Sequence, residues 1–378
     1  MSLPAVGPAV LQSGARDRAL PVCPSLARRA VVAALIGIAS ALLCYLFVRR
    51  PGFYADFIYP WAAARSLLAG DNPYHALRGG LPNPFQAPLF YPLPAVLLVA
   101  PLAGLSLAAA GAVFFGASAG LLALAVTRGG WERLPLFVSG PFVVAASLGQ
   151  WSPLVIAAAL LPGLDWLGVV KPNLWLALLA YRPRWRGVVC ALVLVGASIV
   201  LLPGWPLDWL RSIAFDRARA MHPAPLLLGA GPLLLLAALR WRTAEGRLLL
   251  AMAVMPQKLF FYDQLPLALL ARSFRESLAF AAVTGVSSIV WALTTTDLDR
   301  ERIAIPYVLA TVYLPALLLV LRRPPGAESA TRLEGARGAA RPVALRARAA
   351  AGRGMRPWTS GHCGSRPAPP IPRTTHRR

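Results

Sequence analysis

The chain has 378 residues, 57% hydrophobic and 14% charged, with a formal net charge of +23, and its mean hydropathy is +0.59. That balance leaves too little polar surface to cover a soluble globule of this size; it describes an all-α polytopic membrane protein whose first partner is the lipid bilayer. Nucleic acid is not the partner that the charge implies. Residues 322–378 alone carry 13 Arg against Glu328 and Glu334, with no aromatic-basic module among them, and such tails favour the cytoplasmic side and anionic lipid.

In chain order, residues 1–29 read as a disordered cytoplasmic lead and 30–48 as the first span. Arg49-Arg50-Pro51 follows that run where a secretory signal would show a small-residue cleavage site, so the run is expected to stay as an anchor. Next comes the longest polar and aromatic interruption, 53–92, in which 62–69 reads as a short surface helix ended by the turn residues Asp71-Asn72-Pro73-Tyr74. Further apolar runs lie at 93–105, 107–126, 134–148, 153–161, 164–180, 188–202, 225–239, 248–257, 259–270, 278–293 and 304–321, giving ten to twelve crossings. Two of the runs between 93 and 180 are too short to span, as broken or re-entrant helices are, and these need protein or a wet cavity over their backbone.

The loops 182–186, 240–247, 272–275 and 322–323 are short, Arg-bearing and separated by even numbers of runs, which puts all four in the cytoplasm with both termini. Loops 53–92, 204–222, 256–264 and 294–303 then face outward. Residues 30–321 form the membrane-embedded domain, and 322–378 a disordered basic cytoplasmic tail.

Polar groups inside this apolar body need a reason. Asp56 stands just past the first span among Phe53, Tyr54, Phe57, Tyr59 and Trp61. It either caps the following helix in an interfacial aromatic belt or acts as a general base, since partial desolvation raises a carboxylate's proton affinity. Lys171 and Lys258 are the only lysines, each in an apolar segment beside proline: Val170-Lys171-Pro172-Asn173 and Pro256-Gln257-Lys258-Leu259. An intramembrane lysine costs about 2.5–3.5 kcal/mol unless it is paired or snorkels, so each is a candidate anion ligand, most simply for phosphate. Gln150 and the run Tyr262-Asp263-Gln264 are further polar groups in apolar surroundings. Asp165 reads as a helix cap, His222 as surface, and Asp297-Leu298-Asp299 as solvated charge despite its likeness to a nucleotide-sugar D-x-D string. The cysteines Cys23, Cys44, Cys190 and Cys363 are scattered, with neither disulfide nor zinc spacing, and no metal site is expected.

The order of Asp56-Phe57-Ile58-Tyr59, the run from Ala62 to Tyr74, Phe90-Tyr91-Pro92-Leu93-Pro94, Gly149-Gln150 and Lys171-Pro172-Asn173 resembles the polyprenyl-phosphate-mannose-dependent mannosyltransferases of glycosyltransferase family 87. The resemblance covers residues 30–321 and is most specific in the first loop; the stretch between Gln150 and Lys171 is short for the family. It implies a C-type glycosyltransferase fold in the bacterial plasma membrane and an active site facing outward. The donor would be a lipid-linked sugar, polyprenyl-phosphate mannose or another hexose, with no cofactor, and the acceptor a glycolipid or glycan. Inverting displacement with Asp56 as base would follow. Lys171, Lys258 and Arg65 would meet the donor phosphate, and Tyr59, Asn72, Tyr74, Gln150, Tyr262 and Asp263 would bind substrate. The residues alone leave two other classes open: a non-enzymatic lipid or small-solute transporter or flippase, which would also place polar groups in broken helices, and a structural partner in an envelope assembly.

Overall fold

A computed structural model describes residues 24–53, 55–78, 87–218, 223–295 and 300–323, all within one compact unit. Every regular element among them is a helix. The expected lead to residue 23, the tail from 324, Tyr54, His222 and the Asp297-Leu298-Asp299 string lie outside the described residues.

Helix α1, Leu26–Val48, starts earlier than the apolar run alone suggests, because Ser25 caps it by accepting from the Arg28 N–H at 3.4 Å. Its 23 residues reach about 35 Å. One face is exposed at Val31, Leu35, Ile38 and Leu42, as a lipid-facing helix requires. The other packs on α5, Leu107–Val126, through small residues. A Cβ on Gly116 would lie 2.7 Å from Ala41 Cβ, and one on Gly37 would lie 3.0 Å from Gly116 O. The backbones approach closely because those side chains are missing.

Between α1 and α5 run α2 (Ile58–Leu68), α3 (Pro73–Ala76) and α4 (Leu93–Val99). After them come α6 (Gly140–Leu148), α7 (Ser152–Leu160), α8 (Pro172–Tyr181), α9 (Trp185–Leu201), α10 (Trp205–Ala218), α11 (Ala244–Val254), α12 (Phe274–Thr294), α13 (Arg300–Val308) and α14 (Leu314–Leu321). Two stretches read as spans, Gly231–Arg240 and Phe261–Leu270, are wound as 3-10 helices.

Among the described residues four helices are long and apolar enough to cross a membrane, or up to six spans if the bent pairs α6–α7 (116°) and α9–α10 (104°) each count as one. The sequence suggested ten to twelve. The other apolar runs fold as pieces of 7–11 residues, about 10–20 Å long, which cover only part of a ~30 Å hydrocarbon core. Proline explains much of the fragmentation: it opens α6, α7 and α8 and lies inside Phe261–Leu270.

Arginines fasten one end of the bundle by capping helix C-termini. Arg29 donates to Leu124 O at 2.5 Å, Arg247 to Ala180 O at 2.7 Å, Arg133 to Ala271 O at 3.3 Å and Arg240 to Leu321 O at 3.3 Å. Arg323 bonds Leu270 O. At the same end the buried Glu245 pairs with Arg272 at 2.5 Å and with Arg323 at 3.1 Å.

Candidate functional site

The bend between α6 and α7 builds the site. Gly149 ends α6 in the left-handed region at φ +66, where a side chain is strained. A Cβ there would also sit 2.8 Å from Phe57 Cβ. That bare backbone lets the first loop dock, with the Phe57 N–H donating to Leu148 O at 3.2 Å. Phe57 then stacks on Phe114 at 5.0 Å, and Phe114 meets Trp151 edge-on at 4.6 Å. Asp56 and Gln150 each neighbour a residue of this anchor, and they meet.

Gln150 Nε2 donates to Asp56 Oδ2 at 2.5 Å, and Tyr262 OH donates to the same oxygen at 3.1 Å. Gln150 Oε1 accepts from Lys171 Nζ at 3.1 Å. Lys171 Nζ also pairs with Asp263 Oδ1 at 2.5 Å, with side chains 12% and 3% exposed, and lies 5.0 Å from the centre of the Tyr262 ring. Five residues singled out from the sequence thus form one bonded cluster. Lys171 reaches it from the break between the 3-10 helix Asp165–Val170 and α8. Asp263 and Tyr262 come from the first turn of Phe261–Leu270.

Asp56 does not cap α2: its carboxylate faces Gln150 and Tyr262, and α2 begins without a side-chain cap. Its Oδ1 makes no hydrogen bond among the described residues.

The other expected site residues are placed differently. Tyr59 lies half-buried on the first turn of α2. Arg65 is exposed, over the Trp61 ring at 4.9 Å. Lys258 is half-buried on the extended stretch before Phe261–Leu270. Asn72 and Tyr74 join the first loop to α10. Asn72 Nδ2 donates to Asp208 Oδ2 at 3.2 Å, and Tyr74 stacks on Trp205 at 6.5 Å. Asp165 is the partner of Arg184 at 2.9 Å.

Two further residues have no role assigned from the sequence. Tyr91, in the motif before α4, packs against Trp151 at 5.6 Å; burial pushes its phenol up, and the charges of Asp56 and Asp263 add to that. Asp208, buried on α10, gathers Asn72, His75 at 3.2 Å, Arg211 at 3.0 Å and Arg78 at 3.9 Å. Burial alone would raise its carboxyl, but the Asn72, His75 and Arg211 contacts outweigh that and hold it below its ordinary range. Among the described residues no three His, Cys, Asp or Glu side chains are grouped to hold a metal ion.

Neither a family model, nor a curated protein, nor a solved structure matches this chain.

Proposed function

We propose that the chain is an integral-membrane glycosyltransferase of the C-type fold, moving a hexosyl residue from a polyprenyl-phosphate sugar to a glycolipid or glycan hydroxyl at the outer face of a bacterial plasma membrane. Mannose is the sugar that the family 87 resemblance implies. One observation carries the reading: Asp56 has one carboxylate oxygen fixed by Gln150 and Tyr262 and the other without a hydrogen bond among the described residues. That arrangement orients a base toward an incoming hydroxyl.

In this mechanism the acceptor oxygen bonds to the anomeric carbon, and its proton goes to Asp56 Oδ1. The bond from that carbon to the phosphate oxygen breaks with its electron pair on the polyprenyl phosphate, so the centre inverts. Lys171, assisted by the uncapped start of α8, stabilises the departing phosphate.

The test is Asp56→Asn in lipid nanodiscs, supplied with radiolabelled polyprenyl-phosphate mannose and a membrane glycolipid extract. Transfer should drop on the order of 100- to 10,000-fold while donor binding persists. Wild-type turnover removes Asp56 from the chemistry.

A second reading, the lipid transporter or flippase, is favoured by depth. Lys171 lies about 14 Å along α8 from Ala180, and Asp263 about 14 Å along its 3-10 helix from Leu270. Both of those C-terminal residues are held at the arginine-capped end. Half the thickness of a bilayer core is about 15 Å, and transporters bind near that midplane. A flippase moves the phosphate lipid between leaflets and makes no new glycosidic bond, so a labelled glycolipid product decides between the two.

A further inference from the structure

Lys171 reaches the cluster with its charge already matched. Asp263 Oδ1 is 2.5 Å from its ammonium, Gln150 Oε1 takes a second contact at 3.1 Å, and the Tyr262 ring lies at 5.0 Å. Counting formal charges, the bonded group of Asp56, Gln150, Lys171, Tyr262 and Asp263 carries two carboxylates and one ammonium. A site of that sign repels an anion. The two carboxylates are not equivalent, because Asp56 is held by the neutral donors Gln150 and Tyr262, whereas Asp263 holds the cation itself.

We propose that Asp263 is a built-in competitor for Lys171, and that an anionic headgroup, a lipid-linked phosphate (a diester in a sugar donor, a monoester in the spent carrier), binds by displacing Asp263 from the ammonium. The proposal rests on the transferase reading only for the lipid attached to that phosphate. Three features make the exchange feasible. Lys171 sits at the break between two helices, as the C-cap of the 3-10 helix Asp165–Val170 and the N-cap of α8, rather than inside either. The N–H groups that open α8 add positive potential where the phosphate would arrive, without a side chain to cap them. Asp263 stands in the first turn of a 3-10 helix that follows an extended stretch, and such helices have weak hydrogen-bond geometry.

The experiment measures binding of farnesyl phosphate, with farnesol as the uncharged control, to the full chain in zwitterionic nanodiscs. Asp263→Asn should bind farnesyl phosphate at least about tenfold more tightly than wild type, since a competing charge is gone. Lys171→Met should bind it no better than farnesol, and Asp263→Asn in the Lys171→Met background should give no gain. Unchanged or weaker binding by folded Asp263→Asn overturns the proposal, as does failure of wild type and Asp263→Asn alike to prefer the phosphate over the alcohol. Should Asp263→Asn not fold, the wild-type chain supplies a second readout. It has only two lysines, so side-chain nitrogen labelling gives two ammonium signals, assigned by Lys171→Met. The Lys171 signal should move with farnesyl phosphate and not with farnesol, and a stationary signal overturns the proposal. A chain that shows the Asp263 effect but transfers no sugar loses the transferase reading and keeps this one. A chain that transfers sugar with no Asp263 effect does the reverse.

Discussion

Gly149 illustrates how a residue with no chemistry of its own fixes a site. Substituting Ala sets a left-handed backbone against a side chain, which costs about 1–2 kcal/mol, and drives the new Cβ into Phe57. Gly163 is the control, with φ +88 and nothing within 4 Å of an added Cβ. Gly163→Ala should therefore lower the midpoint of thermal unfolding through strain alone. Gly149→Ala should lower it further and should also cut transfer, because moving Phe57 moves Asp56 from Gln150. Equal activity in the two variants would show that the contact with Phe57 does not position the acid. At this scale the sequence was informative where polarity is expensive. Asp56, Gln150, Lys171, Tyr262 and Asp263 stand out because each is a polar group in apolar surroundings, and low dielectric makes such groups seek one another. Gly149 and Tyr91 were less legible: one acts through a missing atom and the other through its neighbours.

Between elements, the first loop is latched to α10. Asp208 receives Asn72 and His75 from the loop and Arg211 from its own helix, and Trp209 Nε1 donates to Phe90 O at 2.8 Å, next to Tyr91. Tyr74 OH closes the same seam on Tyr91 O at 2.9 Å. Asn72 and Tyr74, expected to touch substrate, are thus tied into this seam. The partner could not be read from the sequence, because Asp208 lies 136 positions from Asn72 in a stretch that the sequence reads as an outer loop, where an acid needs no special explanation. The carboxyl of Asp208 is held below its ordinary range in the folded chain. Its contribution is therefore fully present above the unfolded value and is lost as the pH falls through the folded one. Amide exchange in α3 and α10 should stay slow at neutral pH and accelerate together below about pH 4, and Asp208→Asn should show the faster exchange at neutral pH as well. Exchange in α10 that ignores both acid and substitution would mean that the latch is held by the Tyr74, Trp205 and Trp209 rings instead.

For the whole molecule, helicity and a membrane-compatible apolar body were legible because composition and apolar run length report directly on lipid. The number of full spans was not, since hydropathy records that a segment is apolar but not whether proline divides it into two short helices meeting at 116°. Orientation depends on the arginines. Arg29, Arg133, Arg240, Arg247 and Arg323 all bond helix C-terminal carbonyls or their flanks, so they favour that end through the helix dipole as well as through the positive-inside bias. If both effects act, that end faces the cytoplasm and the α2–α3 loop faces out. Single cysteines at Asp71 and Arg242, both exposed, in a chain freed of its native cysteines, give opposite expectations. A membrane-impermeant maleimide should label Asp71→Cys on intact cells and Arg242→Cys only after lysis. The reverse pattern would turn the molecule over and bring the Asp56 side to the cytoplasm, which overturns the outward-facing site.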